Sequence, residues 1–249
     1  MALDLVGRRR RRANASNPAQ PSERKAAPAL AERPTRGVRR GPAGEAGYDD
    51  FDIQVVGIDG RGLHTVTRTR DWDIDAQWSP SGKWLAFTRS PPSPTDCSHS
   101  TVWLVRPSPK NAHRVADGCQ ARWSPDGKRL VMTSRSGTEL QVVAVATGRT
   151  RTVHRTSIAG AFISAAAWSD KRRQILFTLS LRDGGARFGI LDLSRGSAKT
   201  IGRGFAAAWS PDGSKILYTS RFEGPLFVIG GDGTGKRSLG LSGAEPDWG

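Results

Sequence analysis

Apolar and polar positions alternate with a period of two in short runs along most of the chain, and from residue 76 onward the runs repeat. A fifteen-residue phrase reads AQWSPSGKWLAFTRS at 76–90, ARWSPDGKRLVMTSR at 121–135, AAWSDKRRQILFTLS at 166–180 and AAWSPDGSKILYTSR at 207–221. Each copy is anchored by a tryptophan: Trp78, Trp123, Trp168 and Trp209, with Trp248 in the terminal EPDWG as a fifth. Their spacings are 45, 45, 41 and 39 residues. Helical repeats of that length are disfavoured, because the runs are rich in β-branched and aromatic residues and are broken by Gly and Pro. A period of this size made of short strands predicts an all-β propeller with one four-stranded blade per repeat.

Within a repeat, the first strand ends at the Trp-Ser pair. Ser-Pro-Asp-Gly then turns the chain: Pro presets φ, Asp accepts from the following backbone, and Gly takes a positive φ. The second strand follows, over 83–88, 129–134, 174–180 and 215–220. Third and fourth strands form hairpins in WLVRPSPKNAHRV, VVAVATGRTRTV, ILDLSRGSAKTI and LFVIGGDGTGKRSL, and FDIQVVGIDGRGLHTV at 51–66 opens the array with an unpaired hairpin of the same class. The count is therefore about four complete blades plus partial terminal strands. The strand around Trp248 is placed to pair with the opening hairpin, but that composite blade lacks a second strand, so the ring is expected to close incompletely. Such an array leaves sheet edges open to association.

The Trp-Ser-Pro-Asp-Gly-Lys phrase followed by an apolar strand resembles the TolB-like, or WD40-like, β-propeller repeat over about residues 51–249. Copies at Trp123 and Trp209 match closely; Ser81 replaces Asp in the first, and Ser169-Asp170-Lys171 departs from the phrase in the third. The resemblance implies a non-catalytic scaffold that binds a protein or a ligand through blade loops and the central opening, in an extracytoplasmic place (periplasmic or secreted). Related propellers also precede hydrolase domains in serine peptidases, so the alternative is a substrate-gating propeller without its hydrolase domain. Six blades are usual in the family, and the shortfall suggests the C-terminal part of a longer propeller.

Charge changes the picture only at the start. Of 38 Lys and Arg against 23 Asp and Glu in 249 residues, residues 1–48 hold 11 basic and four acidic side chains, with five Pro and no aromatic before Tyr48. So little apolar surface cannot offset chain entropy, and 1–48 is expected to be a disordered basic extension, with 49–249 as the propeller. Arg8 to Arg12 could touch nucleic acid, but a solvated tail is the favoured reading. No run of 18 apolar residues would span a membrane, and the apolar stretch Ala2–Val6 precedes the arginines instead of following them, unlike an export signal. On this count alone the chain reads as cytoplasmic.

No catalytic constellation, metal set or cofactor is expected. GGDGTGK at 230–236 fits Gly-x4-Gly-Lys, yet Arg237 stands where a phosphate loop needs Ser or Thr, and the segment aligns with the other hairpin turns. No Gly-x-Ser-x-Gly occurs. His64, His99, His113 and His154 fall in different repeats. Asp73 and Asp75 are too few to hold a cation by themselves and are read as solvating the blade entrance. The residues three before each tryptophan are Asp75, Gln120, Ala165, Ala206 and Glu245; of these, Asp75, Gln120 and Glu245 are the polar candidates for binding at the central opening. Such positions are where a propeller would meet a protein partner.

Cys97 lies in the insertion between second and third strands of the first repeat, and Cys119 just before the next first strand. In an up-and-down blade both connections emerge on one face, so a bridge between them is sterically feasible and would imply an oxidising compartment. The five tryptophans are expected to be structural, each filling the space between adjacent sheets.

Overall fold

The computed structural model describes residues 30–31, 51–92, 96–108, 112–169, 173–221 and 223–243. All its regular elements are strands. A small sheet comes first: β1 (Leu30–Ala31), β2 (Gln54–Val55) and β3 (His64–Thr65), hydrogen-bonded in that order. Four four-stranded antiparallel sheets follow. Blade I contains β4 (Trp72–Trp78), β5 (Leu85–Ser90), β6 (Thr101–Val105) and β7 (His113–Asp117). Blade II contains β8 (Cys119–Trp123), β9 (Arg129–Thr133), β10 (Glu139–Ala144) and β11 (Thr150–Arg155). Blade III contains β12 (Phe162–Trp168), β13 (Gln174–Ser180), β14 (Ala186–Asp192) and β15 (Ser197–Arg203). Blade IV contains β16 (Phe205–Trp209), β17 (Lys215–Thr219), β18 (Gly224–Gly230) and β19 (Arg237–Gly243).

One expectation needs correction. The opening hairpin is not unpaired: Leu30 lies opposite Val55 and Ala31 opposite Gln54, so a two-residue strand from the basic segment takes the second-strand place beside β2. Backbone groups along a bare edge seek partners, and this short strand meets them. The rest of 1–48, and the pairing expected for Trp248, fall outside the described residues.

The core is a series of slabs between neighbouring sheets. Ile53, Val55 and Val66 of the small sheet meet Leu85, Phe87 and Val105 of blade I. Ala86, Val102 and Leu104 of blade I meet Leu130, Met132 and Val143 of blade II. Val131, Leu140 and Val142 of blade II pack on Ile163, Ile175 and Phe177 of blade III, whose Leu176, Phe188 and Ile190 pack on Trp209, Ile216 and Tyr218 of blade IV. Each second strand therefore divides its side chains between two slabs. In β13, Ile175, Phe177 and Leu179 face blade II, while Leu176 faces blade IV. Burial on both faces is why these strands read as nearly continuous apolar runs.

The tryptophans fasten the slabs. Trp123 Nε1 donates to the carbonyl of Gln77 at 3.1 Å, and Trp168 Nε1 donates to that of Arg122 at 3.0 Å. Each acceptor stands one residue before the preceding anchoring tryptophan, so the bond repeats from blade to blade. Trp78 Nε1 and Trp209 Nε1 are buried without a hydrogen-bond partner among the described residues. Glycine is required where strands cross closely. A Cβ at Gly118 (φ 136°) would lie 2.2 Å from the carbonyl oxygen of Thr133, and one at Gly204 (φ 150°) 2.3 Å from that of Thr219.

The Ser-Pro-Asp-Gly turns are held by side chains. Ser124 Oγ and Ser210 Oγ each donate to the Asp two residues on, Asp126 and Asp212, at 2.6 Å. Ser79 Oγ lies 3.2 Å from Ser81 Oγ, which replaces that Asp, whereas Ser169 Oγ is buried with no partner among the described residues. The Ser124 hydroxyl, then the Lys128 amide, hold the Asp126 carboxyl below its ordinary range. The Ser210 hydroxyl, followed by the Ser214 amide and hydroxyl, brings Asp212 down to about 2.

Two outcomes follow from this packing. Trp168 is 8% exposed, so Trp168→Ala is expected to cost about 3–5 kcal/mol in urea unfolding, and Trp168→Phe, which keeps most of the ring, nearer 1 kcal/mol for the hydrogen bond. For the turns, folded-state pKa values below the unfolded ones mean a stabilisation present above about pH 4 and lost as the pH falls toward 2. Melting temperature should drop over that window, and the double substitution Asp126→Asn, Asp212→Asn should flatten the drop.

Candidate functional site

First strands lie innermost, β4 packing against β8, β8 against β12 and β12 against β16. All four are interrupted at one place. The register against the second strand shifts between Ile74 and Gln77, Cys119 and Arg122, Ala165 and Ala167, and Phe205 and Ala208. A bulge of this kind re-aims side chains and sharpens the local twist. Asp75 (φ 57°) and Gln120 (φ 55°) stand in these bulges with left-handed backbone. For residues with a Cβ that conformation costs about 1 kcal/mol or more, and it persists only where the surroundings impose it.

The bulges place polar groups between blades. Asp75 Oδ2 accepts from Arg122 Nη1 at 2.9 Å, an ion pair from blade I to blade II with both side chains about a quarter exposed. The Gln120 amide nitrogen donates to Thr88 Oγ1 at 3.0 Å, while Gln120 Oε1 is buried with no partner among the described residues. One blade further on, Thr133 Oγ1 donates to the Ile163 carbonyl at 3.0 Å in a fully buried position. Glu245 and Trp248 lie outside the described residues, and of the Ala165 and Ala206 side chains only the sequence speaks.

Asp73 corrects the reading that it solvates the entrance. Its side chain is fully buried and takes both arms of the Arg89 guanidinium, Nε to Oδ1 at 2.7 Å and Nη2 to Oδ2 at 2.8 Å. The guanidinium stacks 4.3 Å over the Trp103 ring, and the hydrogen bond to Asp73 raises its already high pKa. Desolvating a carboxylate is costly unless a fitted cation repays it, and the bidentate fork does so. Arg89 takes both oxygens of Asp73, and Arg122 takes Oδ2 of Asp75. Sequence reading missed Arg89 and Arg122; the available signal was the acidic-basic complement between adjacent strands of one repeat and between successive repeats.

The histidines do not converge. His64 is exposed, and its ring nitrogens lie 2.8 Å from the carbonyls of Gly62 and Pro107; these acceptors, Gly62 first, raise its pKa. His154 is partly buried against Phe177, and that desolvation lowers its pKa. His113 meets the Trp84 ring edge-on, and His99 sits exposed in the insertion. Among the described residues no group of three or more His, Cys, Asp or Glu is placed to hold a metal. Residues 231–236 form the turn between β18 and β19, where Asp232 Oδ1 accepts from the Thr234 amide.

Cys97 and Cys119 are joined by a disulfide, with Cα atoms 5.6 Å apart. Both are buried, and the bridge fixes the blade I insertion to the start of β8, one residue before Gln120. A shallow cleft of about 330 Å³ lies elsewhere, at the rim between blades I and II, lined by Arg114, Asp117, Gln141 and Thr150. Its lining comes from third and fourth strands and the turn at Gly148, and includes none of the bulge residues.

No family model matches the sequence, and no curated protein matches it. Solved structures do match. A nidogen/laminin complex is 9% identical, with 76% of this chain and 74% of that one covered at a TM-score of 0.59. An oligogalacturonate lyase in complex with manganese is 19% identical over 65% of this chain and 50% of that one, at 0.51. A putative dipeptidyl aminopeptidase IV from Bacteroides ovatus is 10% identical over 79% and 33%, at 0.52. TolB from Acinetobacter baumannii and a putative TolB from Agrobacterium tumefaciens, each 17% identical, also match at 0.40 and 0.47, covering 80% and 78% of this chain and 62% and 90% of theirs. The chain thus spans half the length of the lyase and about three fifths of the Acinetobacter TolB. The fold assignment rests on the three scores above 0.5 together with the sheets themselves. This chain has a β-propeller fold.

Proposed function

We propose that this protein is a non-catalytic propeller scaffold that engages a protein partner or a ligand at the inner ends of its first strands. The observation that carries the reading is the recurrent bulge, where Asp75 and Gln120 hold left-handed backbone, an ion pair bridges two blades and Gln120 Oε1 has no partner among the described residues. Strained, over-determined positions cluster at binding sites, and loops on a rigid frame are where binding residues sit. An extracytoplasmic place is part of the proposal. It draws support from the Cys97–Cys119 bridge, since structural disulfides persist in oxidising compartments.

A second reading is favoured by one observation, the match to a dipeptidyl aminopeptidase IV that covers 79% of this chain but 33% of the peptidase. Under it, the propeller gates substrates for a hydrolase.

A photo-reactive residue at position 120 is expected to cross-link one protein species in cells, whereas the same residue at the rim position Thr152 gives none. Adducts from position 152 alone would overturn the site. A captured species that reacts with a fluorophosphonate probe would favour the peptidase reading. For location, peptide mapping without reductant of protein taken from its own cells should find Cys97 and Cys119 bridged; alkylation of both as free thiols would remove the oxidising compartment. Replacing both by Ser should lower stability by roughly 3 kcal/mol, the value for a loop of this length.

A further inference from the structure

Each sheet here has two ends with different chemistry. The first-to-second and third-to-fourth turns lie at one end; the second-to-third turns and the crossings to the next blade lie at the other. At the crossing end, Asp73 pairs with Arg89 and Glu139 with Arg155 on neighbouring strands, and Asp117 pairs with Arg135 of the next blade as well as with Arg114 of its own strand. At the turn end the carboxylates fold back on their own turns. Asp59 accepts from the Arg61 amide, Asp126 from the Ser124 hydroxyl and Lys128 amide, Asp192 from the Ser194 amide, and Asp212 from the Ser210 hydroxyl. Asp126 also pairs with Arg129 and Asp192 with Arg195, each within its own turn, and the other cations of this end are left over. Arg61, Lys83, Lys128, Arg149, Arg173 and Lys215 are exposed at this end, and none forms an ion pair among the described residues.

The same end carries an exposed apolar tip. The turn from β2 to β3 closes through Gly57 N to Arg61 O at 2.7 Å and Gly60 N to Gly57 O at 2.8 Å, and it thrusts out Ile58, 79% exposed, and Leu63, 57% exposed. His64 ties this turn to Pro107 in the matching turn of blade I, which holds the tip beside the cationic row. Cations alone would suit any polyanion. Two bare aliphatic side chains on a braced tip among those cations match the boundary between headgroups and acyl chains of a bilayer.

We propose that the turn end of this propeller docks on the surface of an anionic bilayer, with Ile58 and Leu63 entering the headgroup boundary and the unpaired Lys and Arg facing the lipid charge. The contact is peripheral, in keeping with the lack of any long apolar helix among the described residues. It stands apart from the scaffold reading, because it uses the turn end and none of the bulge residues.

The test is co-sedimentation of the full chain with phosphatidylcholine vesicles, with and without about 30% phosphatidylglycerol. The protein is expected on the anionic vesicles and not on the neutral ones. The double substitution Ile58→Asp, Leu63→Asp should weaken binding roughly tenfold or more, and Lys128→Gln, Lys215→Gln about fivefold for each charge removed. All four positions are exposed, so melting temperatures should match the parent; where one does not, Ile58→Ser, Leu63→Ser makes the same comparison. Absence of binding to anionic vesicles overturns the proposal. So does undiminished binding by both variants, which would place the contact in the arginines of residues 1–48. Loss with the lysine changes alone, with dextran sulfate competing fully, overturns it in favour of a general polyanion surface.

Discussion

The structure depends on burial of each second strand from both sides. A sheet with one wet face could stand alone or pair once; here Leu176 and Phe177, adjacent in sequence, belong to slabs on opposite sides of blade III. A strand with apolar side chains on both faces needs a sheet on either side, so the blades must follow one another in series. Tryptophan sets the spacing of that series. Its ring fills the slab and its Nε1 reaches back to the previous first strand, as Trp123 does to Gln77 and Trp168 to Arg122.

Those same features made the fold readable. Indoles at nearly constant intervals, a turn phrase with Pro, Asp and Gly in set places, and second strands with period-two apolar content are local properties, and sequence displays local properties directly. The inner ends of the first strands were located only by counting back from each tryptophan. That count led to Asp75 and Gln120, but not to their left-handed backbone or to the shift in pairing beside them. Bulges arise from the match between two strands and the neighbouring blade, which no single segment encodes. Asp73 was misplaced for a related reason. A carboxylate on a strand reads as solvent-facing until its partner is known, and Arg89 meets it from across the sheet while stacking on Trp103. The pairing of Leu30–Ala31 with β2 gave no signal in the sequence, since two ordinary residues in an Ala- and Pro-rich stretch carry no strand pattern.

Three kinds of fastening act at different levels on neighbouring blades. Apolar slabs supply most of the free energy, indole and threonine hydrogen bonds fix the offset between sheets, and the Cys97–Cys119 bridge limits how far the unfolded chain can spread. The bridge and the Asp73–Arg89 pair both belong to the blade I side, which concentrates rigidity next to Gln120.

The indole bonds also have a direction. Each points from a later tryptophan to an earlier carbonyl, so a blade cannot fasten itself. A ribosome delivers the chain from the other end, and blade I therefore emerges with the Gln77 carbonyl untied until Trp123 arrives, as blade II waits for Trp168. From blade I to blade III the nascent protein is latched one sheet behind synthesis, and the newest of these blades is the one whose surface a chaperone would find open.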